Sequence, residues 1–112
     1  MTQIKVALIG AGGIGNAHSN AYEHIYEAKI TAVVDVRQDN AEKTAAIHGA
    51  KVYTSLEEML FHENIDMVDI CTPSYSHPEI ALQCARRGLH ILVEKPIAFT
   101  LEEARGVLDA VR

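Results

Sequence analysis

Gly10, Gly12 and Gly15 follow the apolar run Ile4-Lys5-Val6-Ala7-Leu8-Ile9 in the spacing G-x-G-x-x-G, with Ala11, Gly13 and Ile14 between them. A lone carboxylate, Asp35, closes the next apolar run. The chemistry these residues suit is the grip on a dinucleotide. Gly10 can take the backbone angles of a tight turn, Gly12 lets the main chain approach a pyrophosphate, and Gly15 lets the following helix lie close to the strand. A helix beginning there turns free N–H groups and the positive end of its dipole toward phosphate charge. Asp35 stands 20 residues beyond Gly15, where a carboxylate accepts hydrogen bonds from the two hydroxyls of an adenosine ribose. A 2′-phosphate would meet a like charge at Asp35, which favours NAD over NADP. Arg37, two residues on, is the type of residue that holds such a phosphate and pulls the other way. A plainer account makes Gly12 and Gly15 packing glycines and Asp35 a turn residue, but spacing, strand context and acidic residue agree on the binding unit.

Two further segments stand where strands should end. Cys71-Thr72-Pro73-Ser74-Tyr75-Ser76-His77-Pro78 follows one apolar run and Val93-Glu94-Lys95-Pro96 follows the next. A Lys-Pro step is compatible with a cis bond that fixes a sharp turn. On residue chemistry alone, Lys95 reads as a surface lysine in that turn. His77, beside Pro78, suits a packing or capping role at a helix start as well as a ligand contact. His24, His48, His62 and His90 have no metal-like spacing, and no metal site is expected.

The elements that position these residues alternate along the chain. Strands are expected at Ile4–Ile9, Ile30–Asp35, Lys51–Tyr53, Met67–Cys71 and Leu89–Val93. Helices are expected from Ile14 to Ala28 and from Asp39 to His48, with Gly49 as the stop. Ser55, Ser76 and Thr100 each open a further helix, with glutamate placed as in a capping box. Arg86-Arg87-Gly88 closes the helix begun at Ser76. Right-handed crossovers then give an α/β fold, a doubly wound parallel sheet of strand order 3-2-1-4-5 with helices on both faces.

The 112 residues suit one domain over 1–112, with no linker, repeat or low-complexity segment. The net charge of -5 argues against nucleic acid or an anionic membrane surface as partner. No segment reads as a signal peptide or membrane span, and Cys71 and Cys84 read as buried, reduced thiols, so a cytoplasmic setting is expected. The last helix would lead into a sixth strand of a full doubly wound sheet.

The motifs together resemble the glucose-fructose oxidoreductase, inositol dehydrogenase and MocA-like (Gfo/Idh/MocA) family. The resemblance is carried by Gly10-Ala11-Gly12-Gly13-Ile14-Gly15 with His18 one turn on, Asp35, Thr72-Pro73 with His77, and Glu94-Lys95-Pro96 leading into Thr100-Leu101-Glu102-Glu103-Ala104. It implies a Rossmann-type NAD(P)-binding domain of an oxidoreductase that moves a hydride between the cofactor and a sugar, inositol or similar polyol. Lys95 matches the family's lysine beside the nicotinamide, which positions or polarises the reacting hydroxyl. It also implies cofactor contacts for Thr72, Pro73, His77, Glu94 and Pro96, and a cis Lys95–Pro96 bond. Ser74 departs from the asparagine often found after the proline, and His18 reads as structural.

Family members complete the site with an aspartate and a histidine from a second domain, which these residues lack. The isolated chain is therefore expected to bind cofactor but turn over almost nothing, and to self-associate through the surface that the missing domain would cover. A stand-alone dinucleotide-binding or sensing module, and a fragment that binds nothing, remain as alternatives.

Overall fold

Ile4–Ile9 forms β1, and the unbroken, buried apolar run Val6 to Ile9 within it follows from its place at the centre of the sheet. Val6 and Leu8 point into one core, with Ala11, Ile30, Val33, Ala41 and Ala45. Ala7 and Ile9 point into the other, with Val34, Met59, Val68, Ile70 and Ala81. The period of two along a strand thus feeds both faces at once. The computed structural model describes residues 3–95, 98 and 100–112.

Among these residues, β1 is followed by α1 (Gly13–Tyr22), β2 (Ala28–Val34), α2 (Gln38–His48), β3 (Lys51–Tyr53) and α3 (Leu56–His62). Then come β4 (Met67–Ile70), a single 3-10 turn at Ser74–Ser76, α4 (His77–Arg86), β5 (His90–Val93) and α5 (Leu101–Val111). The strands lie in the order β3-β2-β1-β4-β5 and every pair is parallel, as expected from the alternation of elements. No described helix is long and apolar enough to cross a membrane.

The first helix is shorter than its sequence suggests. Residues 23–27 carry helix-compatible side chains, yet α1 ends at Tyr22 and the strand starts at Ala28 rather than Ile30. The carbonyl of Glu27 accepts the Ile4 N–H at 2.8 Å and Ala28 pairs with Ile4, so pairing with β1 overrides local propensity. A register shift between Val6 and Ala7 places one extra residue, Thr31, in β2. This is why Ile30 and Val33, of opposite parity, share one core.

Of the three expected caps, two hold. Ser55 accepts the Glu58 N–H, while Thr100 and Glu103 form a complete capping box, with bonds of 3.1 and 3.2 Å. Ser76 is not a side-chain cap. It sits in a right-handed helical conformation with its hydroxyl on the Pro73 carbonyl and Thr72 Oγ1, because the 3-10 turn already closes the chain before α4. Gly49 and Gly88 stop α2 and α4 with positive φ, as their positions suggested. Thr100→Ala is expected to cost about 1 kcal/mol, read as a urea midpoint lowered by roughly 0.3–1 M. An unchanged midpoint would show that the box contributes nothing.

Candidate dinucleotide site

The carboxyl ends of β1, β2 and β4 open onto a cleft of about 530 Å³ lined by Gly10, Gly12, Gly13, Asp35, Thr72 and Pro73, among others. Its floor is the turn from β1 into α1. Gly10 has φ +96, and a Cβ there would lie 2.8 Å from the Cys71 carbonyl and the Thr72 nitrogen. A Cβ on Gly15 would lie 2.0 Å from the Gly10 carbonyl oxygen. Both glycines are therefore demanded by the approach of backbone to backbone. Gly12 and Gly13 differ: a Cβ on either would meet nothing within 4 Å, so their bare main chain faces open space. α1 begins at that point with no side-chain cap and no acidic residue in its first turn. Its leading N–H groups and positive dipole end are turned toward the cleft, an arrangement suited to phosphate.

Asp35, half-buried at the end of β2, is held from two sides. Oδ2 accepts the Ala11 N–H and Oδ1 accepts the Arg37 N–H, each at 2.8 Å. Each oxygen keeps a further lone pair, enough for a pair of hydroxyl donors. Arg37 supports Asp35 through its backbone only. Its guanidinium is exposed and lies 3.9 Å from Asp39.

On the opposite wall, the β4–α4 loop carries Thr72 and Pro73. His77 is buried behind that loop and donates from Nε2 to the Thr72 carbonyl at 2.8 Å, so the ring props the loop from within. Ile14 is exposed in the first turn of α1. Glu94 and Lys95 stand just beyond β5, the carboxylate half-buried and the lysine exposed, and neither lines the cleft. Pro96, and with it the expected cis bond, lies outside the described residues. Val36, Tyr75 and Ile80 complete the cleft as apolar wall. Val36 and Tyr75, single apolar residues in turns, and Ile80 in α4 gave no signal in the sequence.

A second group was also missed. Asp69 is wholly buried in β4, in the otherwise apolar run Met67-Val68-Asp69-Ile70. It accepts hydrogen bonds from His18 Nδ1 at 2.8 Å, the Tyr22 hydroxyl at 3.0 Å and the Cys71 thiol at 3.4 Å. The other ring nitrogen of His18 lies 2.6 Å from the Glu94 carboxylate. Burial works against a charged His18, but the bonds to Asp69 and Glu94 and their charges outweigh it and raise its pKa above the ordinary 6.5. Burial and the Asp69 charge push Tyr22 and Cys71 well up, which keeps both as neutral donors. The available signal was Asp69 itself, since a carboxylate inside a buried strand must have partners.

Residues 4–112 match the Gfo/Idh/MocA family model, described as "Oxidoreductase family, NAD-binding Rossmann fold". The chain is 37% identical over 105 residues to glucose-6-phosphate 3-dehydrogenase of Bacillus subtilis, covering 94% of the chain and 29% of that protein. It is 35% identical over 108 residues to inositol 2-dehydrogenase of Rhizobium meliloti, covering 96% of the chain and 32% of the relative. The fold superposes with a TM-score of 0.91 on the WlbA dehydrogenase of Bordetella pertussis, crystallised with NADH and UDP-GlcNAcA, at 31% identity over 98% of this chain and 34% of that one. The chain thus spans about a third of the length of the relatives it matches. With the glycine turn, the Asp35 carboxylate after β2 and the strand order all agreeing with that match over nearly the whole chain, the chain belongs to the Gfo/Idh/MocA oxidoreductase family as its NAD-binding Rossmann domain.

Proposed function

We propose that this chain is the cofactor-holding domain of a dehydrogenase that moves a hydride between NAD and a hydroxyl-bearing carbon of a sugar, inositol or related polyol. The observation that carries the proposal is the open main chain of Gly12 and Gly13 at an uncapped helix start, facing a fixed Asp35. The sugar and inositol dehydrogenases among the relatives support the substrate class. Their greater length supports a substrate-binding part lying outside residues 1–112.

When bound, NAD supplies the hydride-accepting ring, and the protein's share is binding and orientation. The N–H groups at Gly12, Gly13 and Ile14 hold the pyrophosphate, with Gly10, Ala11 and Gly15 setting the turn. Asp35 accepts the ribose hydroxyls. Thr72 and Pro73, propped by His77, border the nicotinamide half. Glu94 and Pro96 flank Lys95, whose ammonium orients and polarises the reacting hydroxyl. Proton transfer needs a further group from beyond these residues, so the chain alone binds cofactor with almost no turnover. Both cysteines are free and buried, which fits a reducing, cytoplasmic setting. Leu92, 46% exposed on the edge strand, supports self-association through that edge.

The cofactor preference follows from Asp35, with Arg37 turned to Asp39. Fluorescence titration should give NADH an affinity at least about tenfold tighter than NADPH, since a 2′-phosphate is brought against a like charge. Equal or tighter binding of NADPH would reject the argument.

A further inference from the structure

Lys95 lies two residues beyond β5, at the edge of the sheet, and is only as well placed as Glu94 before it. Glu94 is anchored twice. Its N–H donates to the Ile70 carbonyl at 3.3 Å, and its carboxylate accepts from His18 Nε2 at 2.6 Å. His18 belongs to α1, the helix whose first turn forms the glycine site. Its opposite nitrogen, Nδ1, is engaged by the buried Asp69 at 2.8 Å. A ring with carboxylate oxygens at both nitrogens donates from both, and is then an imidazolium. Around it stand Tyr22 from α1, Asp69 from β4, Cys71 just beyond β4 and Glu94 just beyond β5.

We propose that His18 is a positioning residue: by bridging Asp69 and Glu94 it ties the Glu94-Lys95 step to the helix that starts at the glycine turn, so that Lys95 and the dinucleotide are held in one frame. The inference rests on the reading of Lys95 as the group beside the nicotinamide. It adds a condition to that reading. The bridge is complete while His18 carries its proton. A neutral ring donates from one nitrogen only and turns a lone pair toward the other carboxylate. The folded pKa lies above the ordinary 6.5, so the bridge is fully present below that value while both carboxylates are ionised. It is lost as pH rises through the folded pKa.

The test is NMR on the 112-residue protein, with its lysines reductively methylated by an isotope-labelled reagent, a change that keeps their charge. Lys95→Arg assigns the Lys95 signal, and NADH is the probe. Without NADH, the His18 ring should titrate above 6.5, and its midpoint should move down in Glu94→Gln, which removes one of the two charges that hold the proton. With NADH, the Lys95 signal should shift in the wild type and lose that shift as pH rises through the His18 midpoint. In Glu94→Gln the loss should come at lower pH. In His18→Gln the shift should be absent at every pH, while NADH affinity stays at its wild-type value. An NADH-induced shift that is the same in wild type and His18→Gln overturns the inference and leaves the reading of Lys95 standing. A Lys95 signal that ignores NADH in the wild type overturns that reading, and the positioning role falls with it. If His18→Gln does not fold, the wild-type pH series and the half-exposed Glu94→Gln decide by themselves. Coincidence of the two midpoints supports the bridge, and a Lys95 response independent of the His18 charge rejects it.

Discussion

Alanine at Gly15 is expected to destabilise the fold by about 3 kcal/mol or more, at or beyond the upper end of what inserted methyl groups cost in a packed interior. The added Cβ would fall 2.0 Å from the Gly10 carbonyl oxygen. The obstacle is backbone, and it cannot swing aside as a side chain does. Gly10 itself is confined by its φ of +96 and by the Cys71–Thr72 backbone behind it, so the helix must move away from the sheet. At roughly 1–3 kcal/mol per molar in urea, the midpoint should drop by about 1 M or more. Gly12→Ala is the informative comparison. Its Cβ would meet nothing within 4 Å, so stability should change by no more than about 1 kcal/mol, the scale of an altered N-cap. NADH affinity should fall instead, because the methyl group occupies the face proposed to hold the pyrophosphate. A Gly15→Ala protein as stable as the wild type would contradict the packing argument. Gly12→Ala with unchanged NADH affinity would contradict the assignment of that face.

The glycine turn was legible in the sequence because its requirement is local. The positive φ of Gly10 and the approach of Gly15 to the Gly10 carbonyl fall within six positions of chain, and such constraints select residue type directly, although the Cys71–Thr72 backbone that also confines Gly10 comes from the distant end of β4. The strand order followed from alternation and handedness, which leave few arrangements open. The end of α1 was not legible. Whether residues 23–27 stay helical is decided by Ile4, which draws Glu27 and Ala28 into the sheet from more than 20 positions away. Ser76 failed as a cap for a similar reason, since its hydroxyl has closer partners in Thr72 and Pro73. The His18, Asp69 and Glu94 group joins three elements separated by 51 and 25 positions. No spacing rule connects them. Only the buried carboxylate in β4 announced that some donor had to arrive.

Lys95→Ala, made in a protein that joins this chain to a substrate domain, should lower kcat about 10²- to 10³-fold, the range set by removing one donor that stabilises charge at a reacting oxygen. Turnover is followed as NADH absorbance over a panel of aldoses, sugar phosphates and inositols. The loss should sit in kcat, because an ammonium aimed at the reacting hydroxyl contributes most where charge develops on that oxygen. NADH affinity should hardly change, since the grip proposed for the dinucleotide lies at the glycine turn after β1 and at Asp35 after β2, whereas Lys95 lies beyond β5, at the edge of the sheet, and does not line that cleft. That split separates the functional alternatives. In a module that only senses a dinucleotide, Lys95→Ala changes neither binding nor any turnover, because there is none to lose. In a dehydrogenase the variant binds cofactor and stalls. Near wild-type turnover in Lys95→Ala would remove the lysine from the chemistry and leave the chain as a holder of NAD whose reacting groups all come from elsewhere.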